Sequence, residues 1–147
     1  MKLGVLTGGG DCPGLNAVIR AVVRKAERHF GDEVVGFLDG WRGLVDDTSM
    51  VLNVEVCRGL LPKGGTILGS SRTNPSAIDG GAEKCQATLA RHGVDALIAI
   101  GGEATLGLAH RLNEPGSPVV GGPQEHGNVQ EAQTYTFDYQ RAAQVPA

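Results

Sequence analysis

The sequence predicts an α/β fold, a Rossmann-like, doubly wound and mostly parallel sheet in a single domain, and three observations predict it. Short apolar runs alternate with segments of helical period, as at 2–7 followed by 15–29, and at 96–100 followed by 104–112. Glycine makes up 23 of the 147 residues, more than double a usual share of about 7%. It collects where apolar runs end, at Gly8, Gly9 and Gly10, at Gly64 and Gly65, and at Gly101 and Gly102. Tight turns at strand ends are where open α/β sheets keep their ligand sites.

The elements follow in order. "KLGVLT" at 2–7 is an apolar run stopped by glycine, as a buried parallel strand should be. Over 15–29, Val18, Ile19, Val22 and Val23 share a face opposite Arg20, Arg24 and Lys25, which predicts an amphipathic helix ending near Gly31. A second strand is expected at 33–38 and a third at 51–56, leading into a short helix over 56–61. "GGTILGSSRTNP" reads as a loop stopped by Pro75. A helix is expected over 82–92 with Gly93 at its C-terminal end, then a strand at 96–100, a helix at 104–112 and a last short strand at 119–120. Beyond Pro123 the chain is polar and rich in Gln.

Composition narrows the function classes. Net charge is −3, from 13 basic and 16 acidic residues, and neither sign forms a run, which argues against a nucleic-acid footprint or a membrane-binding face. Cys12, Cys57 and Cys85 lack metal-ligand or redox spacing and read as reduced thiols. The chain begins with a strand, and no apolar run approaches the ~20 residues needed to span a bilayer; the expected location is the cytoplasm.

Five stretches carry candidate chemistry, each with a plainer reading beside it. In "TGGGDCPGLN" three glycines lead from a strand into a helix start, where backbone N–H groups and the helix dipole favour an anion. The spacing fits neither the dinucleotide fingerprint nor the lysine-bearing P-loop, so a ligand-free turn is the alternative. "DGWRGL" places the only Trp, Trp41, in a loop, to stack on a base or to cover the sheet edge. "GSSRTN" holds Arg72, a two-toothed phosphate clamp or a solvated loop residue. In "IAIGGEATLG", Glu103 falls in a first helical turn, either complementing the dipole or holding Mg²⁺ through water. "PQEHGN" sets Glu125 beside His126, an acid–base pair or a solvated one.

Taken in order, "TGGGDCPGLNAVIRAV", "DGWRGL", "GGTILGSSR", "IAIGGEATLG" and "PVVGGP" resemble the N-terminal half of the phosphofructokinases, of actinobacterial type, over residues 1–123. The resemblance implies a nucleotide domain whose Gly9 and Gly10 meet the donor phosphates, with Trp41 against the base and Arg72 on the phosphates. Gly102, Ala104 and Thr105 complete the implied cofactor set, and Glu103 serves Mg²⁺. The implied cofactor is ATP, or another phosphate ligand, with Mg²⁺. Ala104 stands at the family's donor gate, where Gly goes with ATP and Asp with pyrophosphate; lacking a carboxylate, it leans towards ATP.

The resemblance changes character after Pro123, where the family carries Thr-Ile-Asp-Asn-Asp with its catalytic base and a metal-linked acid. This chain has Glu125, His126, Gly127, Asn128 and Val129, in a register kept by Asn128, Tyr135 and Thr136. The expected division is a phosphate-binding domain at 1–123 and a divergent segment at 124–147. The expected function is phosphate-ligand binding without phosphorylation of fructose 6-phosphate, since the base and the family's second half are missing. Self-association or a protein partner should cover the surface that half would occupy. The alternative is a small enzyme of different chemistry, with His126, Glu125 and Arg72 as catalytic residues.

Overall fold

A computed structural model describes residues 1–10, 14–113 and 118–123. Its elements are β1 (Lys2–Thr7), α1 (Leu15–Lys25), β2 (Glu33–Phe37), α2 (Trp41–Asp46), β3 (Ser49–Leu52), α3 (Gly81–Arg91), β4 (Ala96–Gly101), α4 (Glu103–Asn113) and β5 (Val119–Pro123). A π-helical turn, Ala26–Phe30, extends α1, and a 3₁₀ turn, Pro75–Ala77, precedes α3.

The five strands form one sheet in the order β3-β2-β1-β4-β5. β1 pairs in parallel with β2 and β4, and β4 with β5, while β3 runs antiparallel to β2. This is the mostly parallel α/β sheet expected. Strand alternation divides the core between its two faces. Val5 and Val34 point into a cluster with Leu15, Ile19 and Val23 of α1. Their neighbours Leu6 and Val35 point into the opposite cluster, with Phe37, Trp41, Leu89 and Leu108. The chain leaves β1 for one side of the sheet and returns at β4 on the other. The topological switch point, where a crevice opens beyond the strand ends, therefore lies between β1 and β4.

Four local expectations are corrected. The helix expected over 15–29 is α-helical only to Lys25; it widens into the π turn and stops at Gly31, whose left-handed φ of 67° ends it. The third strand is Ser49–Leu52, not 51–56. The Glu27 carboxylate accepts from Val54 N (2.7 Å) and Asn53 Oδ1 accepts from Val56 N (2.8 Å), so the chain turns where a ladder would have continued, and turns replace the helix expected at 56–61. "DGWRGL" is not a loop. Asp39 and Gly40, both at positive φ, turn the chain, and α2 begins at Trp41. Trp41, Leu44 and Val45 then face the core at helical spacing.

Candidate functional site

The crevice at the switch point is built by two glycine turns. Gly8 N donates to Ile100 O (2.7 Å), tying the end of β1 to the end of β4. Beneath both turns lies Thr105 of α4, only 3% exposed. A Cβ on Gly8 would stand 2.4 Å from Thr105 Oγ1, and one on Gly101 2.6 Å from the same atom. Glycine at these two positions is what lets α4 start against the strand ends. A Cβ on Gly9, whose φ is +77°, would meet Gly102 N at 3.7 Å, so the two turns lie side by side.

The loop that carries Arg72 is fastened to this frame. The Asn16 side chain, 3% exposed, donates to Gly64 O (2.9 Å) and accepts from Ile67 N (2.8 Å). Thr7 Oγ1 donates to Gly69 O (2.7 Å). Asp39 N donates to Leu68 O (2.8 Å), and Ser71 Oγ donates back to Asp39 O (2.6 Å).

Between these parts lies a cavity of about 450 Å³. Gly9, Trp41 and the 71–74 run with Arg72 form one side, and Ala104, Thr105, Leu108 and Arg111 of α4 the other. Among the described residues no Asp or Glu lines it, whereas two guanidiniums do, so the field of that described wall favours an anion. Of the residues singled out in the sequence, Gly9, Trp41, Arg72, Ala104 and Thr105 share its wall, and Gly102 adjoins Gly9. Gly10 and Glu103 are exposed and do not line it. Glu125 and His126 lie outside the described residues.

Trp41 is 1% exposed and packed in the core, so little of its ring reaches the cavity; face-on stacking would need a surface it does not present here. Its Nε1 is the one buried side-chain polar atom without a hydrogen-bond partner among the described residues. Arg111 went unnoticed in the sequence. Its signal is spacing, because 104, 108 and 111 follow the glycine turn on one helical face.

Two other cavities frame the choice. One of about 560 Å³ lies at the opposite end of the strands, where Glu27, Asp32 and Glu33 outnumber Lys2, the wrong balance for an anion. A smaller one of about 230 Å³ collects Arg20 and Arg24 of α1 and Arg28 of the π turn, with Arg58 beside Cys57. Burial raises the pKa of the Cys57 thiol, against the opposing pull of Arg20. As for magnesium, no group of three His, Cys, Asp or Glu side chains gathers among the described residues, so a closed protein cage is not offered. Glu103, directly after Gly102, fits the other mode, in which one carboxylate and the ligand's own phosphate oxygens share the ion.

The fold and this crevice define a class, a doubly wound α/β domain with a cationic cavity at its switch point. A family model described as Phosphofructokinase matches residues 2–145, so the chain belongs to the phosphofructokinase family. It is 56% identical over 145 residues to a pyrophosphate–fructose 6-phosphate 1-phosphotransferase of Amycolatopsis methanolica, covering 99% of this chain and 42% of that protein. It is 47% identical to ATP-dependent 6-phosphofructokinase 3 of Streptomyces coelicolor, with the same coverage. The solved phosphofructokinase of Saccharomyces cerevisiae superposes with a TM-score of 0.80 at 29% identity, over 94% of this chain and 22% of that one. The chain thus spans about two fifths of the length of these curated relatives. Among the described residues, no helix is long and apolar enough to cross a membrane.

Proposed function

We propose that the 450 Å³ cavity binds the diphosphate portion of a phosphoryl donor, pyrophosphate or a nucleotide, with Mg²⁺ carried between the phosphates and Glu103. The observation that carries this is that Arg72 and Arg111 line one cavity with no carboxylate among its described residues, beside the glycine turns of β1 and β4. Relatives named for pyrophosphate and for ATP both present such a diphosphate. The resemblance sets Gly127 and Val129 against the family's two aspartates, and on that basis the reading is donor binding without transfer to fructose 6-phosphate by this chain alone. β5 ends the described sheet with Val120 58% exposed, and a second copy or a protein partner is the proposed cover for that edge.

Isothermal titration with Mg·pyrophosphate, Mg·ATP and Mg·ADP tests the site. Binding of at least one is expected, weakened about tenfold by Arg72→Ala or Arg111→Ala, the loss of one charge-assisted contact. Arg24→Ala, in the basic surface of α1 away from this cavity, should leave it unchanged. Silence with all three, or weakening only by Arg24→Ala, overturns the assignment.

A further inference from the structure

Thr7 is the last residue of β1, fully buried, and directly precedes the first glycine turn. Its hydroxyl proton goes to Gly69 O at 2.7 Å. The contact with Thr66 Oγ1 at 2.9 Å must then run from the Thr66 hydroxyl to Thr7 Oγ1, because Thr7 has no second proton to give. Thr66 Oγ1 also accepts from Leu68 N (3.1 Å). One buried side chain therefore holds two points of the Arg72 loop against the strand that delivers Gly9. Position 69 accepts only glycine. Its φ is +72°, and a Cβ there would meet Asp39 Oδ1 at 2.6 Å. Two residues on, Ser71 Oγ bonds Asp39 O and Thr73 Oγ1 (2.6 and 3.1 Å), so the residues on both sides of Arg72 are tethered.

We infer that Thr7 is a positioning residue for anion binding: its hydroxyl sets where Arg72 meets the ligand relative to the first glycine turn. This deepens the proposed donor site and rests on it. The substitution to use is Thr7→Val, which keeps the β-branched shape suited to a strand and removes only the hydroxyl. Thr7→Ser keeps the hydroxyl.

The test is calorimetric affinity for Mg·pyrophosphate and Mg·ADP across wild type, Thr7→Val, Thr7→Ser, Arg72→Ala and the Thr7→Val/Arg72→Ala double variant. Thr7→Val should bind about tenfold more weakly and Thr7→Ser within about twofold of wild type. Once Arg72 is gone, adding Thr7→Val should cost less than about twofold, because the hydroxyl acts through that guanidinium. Losses that multiply in the double variant, or a Thr7→Val that binds like wild type, overturn the inference while leaving the site itself standing. If melting curves show Thr7→Val unfolded, Thr66→Val, which breaks the same junction from the loop side, replaces it in the cycle under the same criteria. Wild type that binds neither probe overturns both the site and this role.

Discussion

Gly43→Ala is the sharpest test of how α2 is seated. Alanine in a helix interior ordinarily gains about 1 kcal/mol over glycine. At position 43 the added methyl would stand 2.3 Å from Leu38 O, 2.6 Å from Leu38 N and 2.9 Å from Thr48 O. All three are backbone atoms, and they are locked, since Leu38 N donates to Thr48 O (3.1 Å) and Thr48 N to Gly43 O (2.9 Å). Ordinary contact begins near 3.4 Å, so α2 must retreat by about 1 Å. Overpacking of this kind costs about 1–3 kcal/mol. Taken at the upper end for an immovable backbone, and set against the propensity gain, it leaves a net loss of about 2 kcal/mol. For a chain of this size that is a fall in Tm of roughly 4–8 °C. Gly107→Ala in α4 is the control, with nothing within 4 Å and no positive φ, and should raise Tm by roughly 2–3 °C. Thermal unfolding followed by circular dichroism reads both. The single Trp, two residues before Gly43, reports the displacement through its emission. A Gly43→Ala variant as stable as its parent, with unchanged emission, would refute the packing described for α2.

Three further outcomes are expected. The Asp47 carboxyl is held below its ordinary pKa of 3.8, first by His92, whose Nε2 lies 2.6 Å away, and then by Arg91. The unfolded chain therefore binds that proton more readily, and the stabilisation is complete above about pH 4 and lost as pH falls through the lower native value. Asp47→Asn, tolerated at the residue's φ of 56°, should be less stable at neutral pH and should lose Tm less steeply below pH 4; parallel curves would remove Asp47 from the acid response. Cys85 is buried, and burial pushes its thiol up to about 11, so thiol-reactive labelling mapped by mass spectrometry should leave it unmodified until denaturant is added; labelling of Cys85 in the native chain would contradict its place on the core-facing side of α3. Ala104→Asp would put a carboxylate into a wall whose described residues include none, and affinity for Mg·ADP should drop about tenfold or more, with Mg·pyrophosphate affected less; equal losses would detach Ala104 from donor choice.

Much of the fold was legible because burial on both faces of a parallel sheet leaves plain apolar runs, and because Gly8–Gly10 and Gly101–Gly102 mark where two of them stop. The antiparallel edge was harder. β3 is short, and its end is set by Glu27 and Asn53 capping the next turn, contacts that strand periodicity does not encode. α2 looks like a loop in the sequence because six residues containing a glycine give little helical pattern, and the positive φ at Asp39 that launches it is a choice made in three dimensions. In the candidate site, the glycines and Arg72 are visible as motifs, whereas Arg111 belongs to no motif and only the path of α4 puts it on the cavity wall. Arg20, Arg24, Arg28 and Arg58 form no run in the sequence and meet only through helix geometry and a distant turn. The hydroxyl of Thr7 gave no sign at all, since its partners lie 59 and 62 residues away.

The strand pairing that brings the two glycine turns together has a consequence for how the protein is made. Where β1 meets β4, Lys2 N reaches an Asp95 oxygen across 93 residues, and the cavity wall draws on segments from Gly9 to Arg111. No contiguous stretch contains it. During synthesis, then, a ribosome must deliver nearly the whole described chain before the cavity can exist, and closing such distant partners is the slow part of folding. Ligand has nothing to grip on the nascent or half-folded chain. It acts only after the sheet has closed, as a brake on unfolding and not as a template for folding.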